Sequence, residues 1–329
     1  MRARLNMHTV SSARYGWRGS RLRVTAVCMN TSPSIPLRAW FDLLLLALIW
    51  GAIFLVIEFA LRGLTPLWAV VHRVFWATIA LWLIALWRGY RPPKTAAIWV
   101  GFMVMGALNN AIPFSLITWA QVEIESGLAS IFNATTAFFG ITVAAAFLAD
   151  ERLTAQRIAG VVLGIAGVAV IMGVNALTSF DPRNLAQLAI LGAALSYAFA
   201  GVWARKRLSG LTPLISAAGM LTGSSLIMIP LAWVAEGPPA TSFSVETIGA
   251  IIYMSMFGTV AAYLLYYRIL AAAGSGNLML VTVIMPPISI WLGWLVLGET
   301  LTTEALIGCA MIIAGLVVLD GRLSRFVRR

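Results

Sequence analysis

Apolar residues dominate ten long blocks, at 40–61, 66–87, 96–118, 127–148, 155–175, 186–204, 212–235, 247–267, 277–297 and 302–319. A helix that crosses the hydrocarbon layer needs about 20 mainly apolar residues. Each block is therefore read as a membrane-spanning helix. The breaks between them are short and hold Pro, Gly or charge, as in Arg88-Gly89-Tyr90-Arg91-Pro92-Pro93-Lys94 and Glu236-Gly237-Pro238-Pro239. None of the breaks is long enough for a soluble domain.

The blocks also repeat. Leu64-Thr65-Pro66-Leu67 recurs as Leu211-Thr212-Pro213-Leu214, and Glu151-Arg152-Leu153-Thr154 recurs as Glu299-Thr300-Leu301-Thr302. Behind each Glu a glycine follows at the same two distances, Gly160 and Gly167 in one half and Gly308 and Gly315 in the other. A fixed offset of about 148 residues marks a duplication. The expected fold is an all-α polytopic membrane protein of ten transmembrane helices. Five helices per half is an odd number, so the halves form an inverted repeat. That arrangement suits a transporter whose site lies where the halves meet. The expected divisions are a basic N-terminal tail over 1–37, a first five-helix repeat over 38–176, a second over 184–321 and a basic tail over 322–329. The first 28 residues read as a disordered tail or a start-site artefact, with Met29 as an alternative start and no cleavable signal.

Composition supports a membrane class. Hydrophobic residues are 60% of the chain and charged residues 11%, against about 25% charged in soluble domains. The net charge of +11 does not point to nucleic acid, because the basic residues flank the apolar blocks. With the N-terminus inside, 20 of the 23 Lys and Arg fall on the cytoplasmic side. Glu123, Glu125, Glu236 and Glu246 fall outside. Both termini are thus expected in the cytoplasm, and the expected location is a bacterial cell inner membrane. Two cysteines, Cys28 and Cys309, and two histidines, His8 and His72, offer neither a disulfide framework nor a metal site. No nucleotide-binding loop or Ser-His-Asp set is present. The chain is not expected to be an enzyme or to need a cofactor.

The residues resemble the drug/metabolite transporter superfamily in its EamA branch. Trp50-Gly51-Ala52-Ile53-Phe54 is similar to the family's Trp-Gly opening. Pro286, Glu299-Thr300-Leu301-Thr302, Gly308 and Ala314-Gly315-Leu316 are similar to the signature that closes each repeat. The first half answers with Glu151-Arg152-Leu153-Thr154, Gly160 and Ala166-Gly167-Val168. The resemblance covers about residues 38–321, and its specificity lies in order, spacing and duplication. One departure is Asn133-Ala134-Thr135-Thr136-Ala137-Phe138, where the family often has a proline. It predicts a weaker bend in the fourth helix than Pro286 gives the ninth. The resemblance implies secondary transport of small metabolites, commonly export of amino acids, by alternating access. The rival class is a membrane-embedded enzyme or lipid-handling protein. The partners implied are a small-molecule substrate and the lipid bilayer, with a homodimer as an option and no nucleic acid.

Ionisable groups inside a span cost roughly 2.5–3.5 kcal/mol on insertion scales, so each needs a reason. Glu58, His72 and Arg73 stand out. Glu58 lies about 6 Å and Arg73 about 10 Å from the outer helix ends, close enough in depth to pair. Arg73 is the candidate for holding an anionic substrate group, and Glu58 or His72 for carrying a proton. The alternatives are a structural ion pair, snorkelling, and a packed, hydrogen-bonded histidine. Asn109, Asn110, Trp119 and Asn133 are polar or aromatic candidates for the cavity wall. Pro113 just beyond the Asn pair predicts a kink. Trp50 and Tyr197 occupy matching places in the two halves, and Tyr263 shares a helix face with Tyr267. Trp50, Tyr197 and Tyr263 complete the substrate-binding candidates. The repeated glycines read as packing positions.

Overall fold

The computed structural model describes residues 37–148, 153–172, 182–278 and 280–320. The expectations for the two tails and for Glu151 and Arg152 lie outside these residues. The helices are α1 (Leu37–Leu61), α2 (Pro66–Trp87), α3 (Ala96–Ala120), α4 (Ser126–Phe147), α5 (Ala155–Met172), α6 (Arg183–Arg207), α7 (Pro213–Glu236), α8 (Val245–Ala273), α9 (Leu280–Leu297) and α10 (Thr303–Leu319). Among the described residues nine helices are long and apolar enough to cross a membrane, and α10 is apolar but shorter. No strand occurs among them. An all-helical build follows from lipid as solvent, since a helix satisfies its own backbone polar groups. The repeated Leu-Thr-Pro-Leu is a helix start: α2 and α7 each open with proline in the first turn, where its missing N–H costs nothing.

Corresponding helices α2 and α7, and likewise α5 and α10, pack against each other in opposite directions. The start of α2 meets the end of α7, where Leu67 N donates to Glu236 Oε1 at 3.1 Å. Further along, Trp82 Nε1 donates to Thr222 Oγ1 at 2.8 Å. Thr78 and Ser225, repeat mates, touch at 3.1 Å. α5 and α10 cross on the repeated glycines. A Cβ on Gly160 would stand 2.7 Å from the Gly315 carbonyl oxygen, and one on Gly167 would stand 2.7 Å from that of Gly308. Only glycine lets the backbones approach this closely. The remaining contacts exchange between halves: α1 packs on α8 and α9, as α6 packs on α3 and α4. The chain is thus an inverted repeat with a pseudo-two-fold relation.

Two helices widen in matching places, while α9 ends in a further π segment at Gly293–Leu297. α3 widens to a π-helix at Ala107–Ala111, and α8 at Tyr253–Ala261. Shifting the first segment by 148 residues lands it at 255–259, inside the second. In α3, Pro113 supplies a cause, because its ring crowds the carbonyl one turn back and lacks an N–H to pair with it. The stretch of α4 that departs from the family's proline is not continuous helix. α4 is interrupted at residues 134–135, with Thr135 Oγ1 donating to Phe132 O at 2.6 Å and Thr136 Oγ1 to Asn133 O at 2.7 Å. Hydroxyls that compete for the helix's own carbonyls account for the interruption without a proline.

Candidate functional site

The π segments of α3 and α8 each present a backbone carbonyl to a side chain from the first helix of a half. Trp50 Nε1 on α1 donates to Gly258 O at 3.2 Å. Ser196 Oγ on α6 donates to Leu108 O at 2.7 Å. Trp50's repeat mate is Tyr197, so the two bonds are analogous rather than symmetry-related; they tie α1 to α8 and α6 to α3 around one region that α2 also borders. Trp50 also lies against Tyr266, with ring centroids 6.1 Å apart.

Arg73 enters this region from α2. It is only 8% exposed. Its Nε donates to Thr259 Oγ1 on α8 at 3.2 Å, and its guanidinium carbon sits 3.7 Å from the centroid of Phe114 on α3. Thr259 Oγ1 in turn donates to Met254 O at 2.8 Å, a carbonyl of the same π segment. The titratable groups that act on Arg73 are the phenols of Tyr197 and Tyr263. Among the described residues no carboxylate pairs with it, and its Nη groups have no protein acceptor. A guanidinium always carries its charge, so the site holds a fixed, buried positive charge with open donors.

Tyr263 links this charge to the asparagines. Its hydroxyl donates to Asn110 Oδ1 at 3.0 Å and accepts from Asn109 Nδ2 at 3.1 Å. Asn110 is fully buried, yet its Nδ2 has no partner. An unpaired buried amide donor costs about 1–3 kcal/mol, and here it adds a second open donor beside the arginine's network. Asn133 Oδ1, at the interruption of α4, is likewise buried and unpaired.

The structure brings together Arg73, Asn109, Asn110, Tyr197 and Tyr263, with Trp50 on the adjoining wall. It leaves others apart. Trp119 is 43% exposed on the outer face of α3. His72, one residue before Arg73 and therefore on another side of α2, accepts from Trp76 Nε1 at 3.2 Å and lies edge-on to Phe243. The Glu58–Arg73 pair that their depths would allow does not form. Glu58 Oε1 accepts from Gln121 Nε2 at 3.0 Å, and its charged neighbours are Glu299, Arg62 and Glu125. Depth along a helix does not fix azimuth, and these two side chains leave their helices toward different neighbours. Thr259 and Phe114 are contributors that sequence reading missed. Thr259 is one hydroxyl among several in the eighth apolar block, with nothing local to single it out.

Polar ties gather at one end of the bundle. Glu236 caps the start of α2, accepting from Thr65 Oγ1 and from the N–H groups of Leu67 and Trp68. Glu299 does the same for α4, accepting from Ser126 N at 2.9 Å, Ser126 Oγ at 2.9 Å and Gly127 N at 3.1 Å. Carboxylates at helix starts satisfy orphan N–H groups and the helix dipole together. Arg62–Glu246 at 3.3 Å and Arg183–Glu125 at 2.7 Å join them. At the opposite end Arg268 of α8 pairs with Asp42 of α1.

The chain is similar to known membrane proteins along most of its length. A Bacillus subtilis protein described as an uncharacterized transporter, YoaV, is 20% identical over 84% of this chain and 95% of its own. A probable terminal-alkyne amino-acid exporter of Streptantibioticus cattleyicolor is 27% identical over 87% and 94%. A probable amino-acid metabolite efflux pump of Escherichia coli is 26% identical over 84% and 92%. A crystal structure with 20% identity superposes with a TM-score of 0.62, covering 89% of this chain and 99% of that one. The profile of the EamA-like transporter family matches twice, over residues 39–173 and 184–319, once for each half of the inverted repeat, and the chain therefore belongs to that family.

Proposed function

We propose that the chain is a secondary transporter that exports small carboxylate-bearing metabolites, amino acids and their relatives, by alternating access. The observation that carries this reading is Arg73, a buried guanidinium with open Nη donors and no carboxylate partner among the described residues. A substrate carboxylate is the natural counter-charge for such a fork. Asn110 Nδ2 is the adjacent neutral donor. Phe114, Tyr197, Tyr263 and Trp50 suit the apolar part of the solute. An ammonium group would find aromatic faces and hydroxyls rather than an acid. The names of the exporter and the efflux pumps among the relatives agree with this substrate class.

The inverted halves support alternating access as the mechanism. Two equivalent packings of related halves expose one central site to opposite sides. With both termini cytoplasmic, the end tied by Glu236 and Glu299 is the outer one, so the described arrangement is closed outward. Glu58 is the group we assign to proton coupling. It sits in that outer layer on Gln121, with Glu299, Glu125 and Arg62 as its charged neighbours, and a proton changes its charge where the closure is made.

The test is counterflow in proteoliposomes across amino acids, their decarboxylated amines and their deaminated acids. Amino acids and acids should be carried and amines ignored. Transport of amines or cationic dyes without any carboxylate would overturn the assignment.

A further inference from the structure

His72 is not used by the site above, and it borders a separate cavity. This space of about 350 Å³ opens between α2 and α8 and is lined by His72, Trp76, Phe243, Ile248, Ile252 and Ser255, among others. Its volume falls at the low end of the roughly 300–1,000 Å³ of ligand pockets. The walls are nearly all carbon. Ser255 spends its hydroxyl proton on Ile251 O at 2.6 Å. The imidazole is the other polar group named here. Trp76 Nε1–H donates to its Nδ1 at 3.2 Å, so the neutral ring carries its own proton on Nε2. That Nε2 is buried and has no hydrogen-bond partner. The Phe243 ring, at 5.5 Å between centroids, offers at best a weak contact with its π face. The cavity therefore wants a long apolar body with one acceptor.

Its position says where such a molecule comes from. Trp76, Ile248 and Ile252 are 43%, 45% and 50% exposed. In a chain immersed in a bilayer, such surfaces face acyl chains, so the mouth opens to lipid. His72 is six residues beyond Pro66, or about 9 Å from the start of α2, and helical side chains lean back toward the N-terminus. The open N–H thus lies close to the headgroup–acyl boundary, where glycerol esters sit.

We propose that this cavity binds a membrane phospholipid, with one acyl chain packed on Phe243, Ile248 and Ile252 and its ester carbonyl accepting from His72 Nε2. The two helices that hold the lipid are the ones that bring Arg73 and Thr259 together, so occupancy would couple the bilayer to the α2–α8 spacing at the solute site.

The experiment is native mass spectrometry of the full chain, delipidated and titrated with phosphatidylethanolamine. Ester-linked and ether-linked versions with the same chains and headgroup are compared. The ether form fits the same space but lacks the carbonyl. Wild type should retain one ester lipid and bind the ether form about tenfold more weakly, the ~1.4 kcal/mol of a single hydrogen bond. Ile252→Trp, which fills the cavity, should abolish retention. His72→Phe should erase the ester–ether difference while thermal melting stays unchanged. Equal binding of the two lipids by wild type would overturn the proposal without any variant. So would retention that survives Ile252→Trp, or displacement of the lipid by the transported solute, which would give the cavity to that solute.

Discussion

Replacing Arg73 by methionine separates a functional charge from a structural one. Methionine keeps most of the side chain's length and removes the guanidinium. Three contributions to stability change. The charged hydrogen bond from Nε to Thr259 is worth about 1.5–3 kcal/mol. The stacking on Phe114 at 3.7 Å adds up to about 2 kcal/mol. Against these, a membrane-embedded cation costs about 2.5–3.5 kcal/mol, and no carboxylate partner offsets it here. The contributions cancel to within about 2 kcal/mol, so the variant should fold and melt close to wild type. Binding should respond quite differently. Removing one member of a buried charge pair costs about 2–5 kcal/mol, so carboxylate affinity should fall at least roughly 30-fold. Arg73→Lys keeps the charge but loses the fork and the Thr259 bond, and should fall between. The assay is calorimetric or scintillation-proximity binding in detergent, alongside thermal melting. A variant that fails to fold, or one that binds carboxylates as well as wild type does, would refute the reasoning.

Other expectations follow from the same geometry. Gly315→Leu places a Cβ 2.7 Å from the Gly160 carbonyl and should lower stability by about 1–3 kcal/mol, read as a drop in melting temperature. Gly140→Ala, with nothing within 4 Å, should leave melting unchanged. Glu236→Ala uncaps α2 and should cost about 1–2 kcal/mol, with faster amide exchange confined to residues 65–70; protection there equal to wild type would count against the cap. Glu58→Gln cannot change charge and should lose pH-driven transport while counterflow persists. If both persist, the coupling proton is carried elsewhere.

The sequence alone carried the class of the protein and its internal symmetry. The extents of the apolar blocks, set by bilayer thickness, fall within a few residues of the helices. The repeated glycines were legible as packing positions because only backbone contact demands them in pairs, and Gly160 and Gly167 do meet Gly315 and Gly308. Arg73, Asn110 and Tyr263 were singled out as polar or aromatic groups in apolar blocks, where polar groups are expensive, and the structure brings them into one region. What stayed hidden depends on azimuth and on neighbours from distant blocks. Thr259 reaches Arg73 across 186 positions, and Glu299 reaches Ser126 across 173. Adjacent His72 and Arg73 part to different surfaces of one helix. The π segments were not foreseen in either half, although Pro113 hinted at one, because no local propensity distinguishes a short stretch of wider helix from ordinary helix. Apolar run length is a local quantity fixed by the solvent. The direction a side chain faces, and the partner it finds there, is fixed only when the helices close on one another.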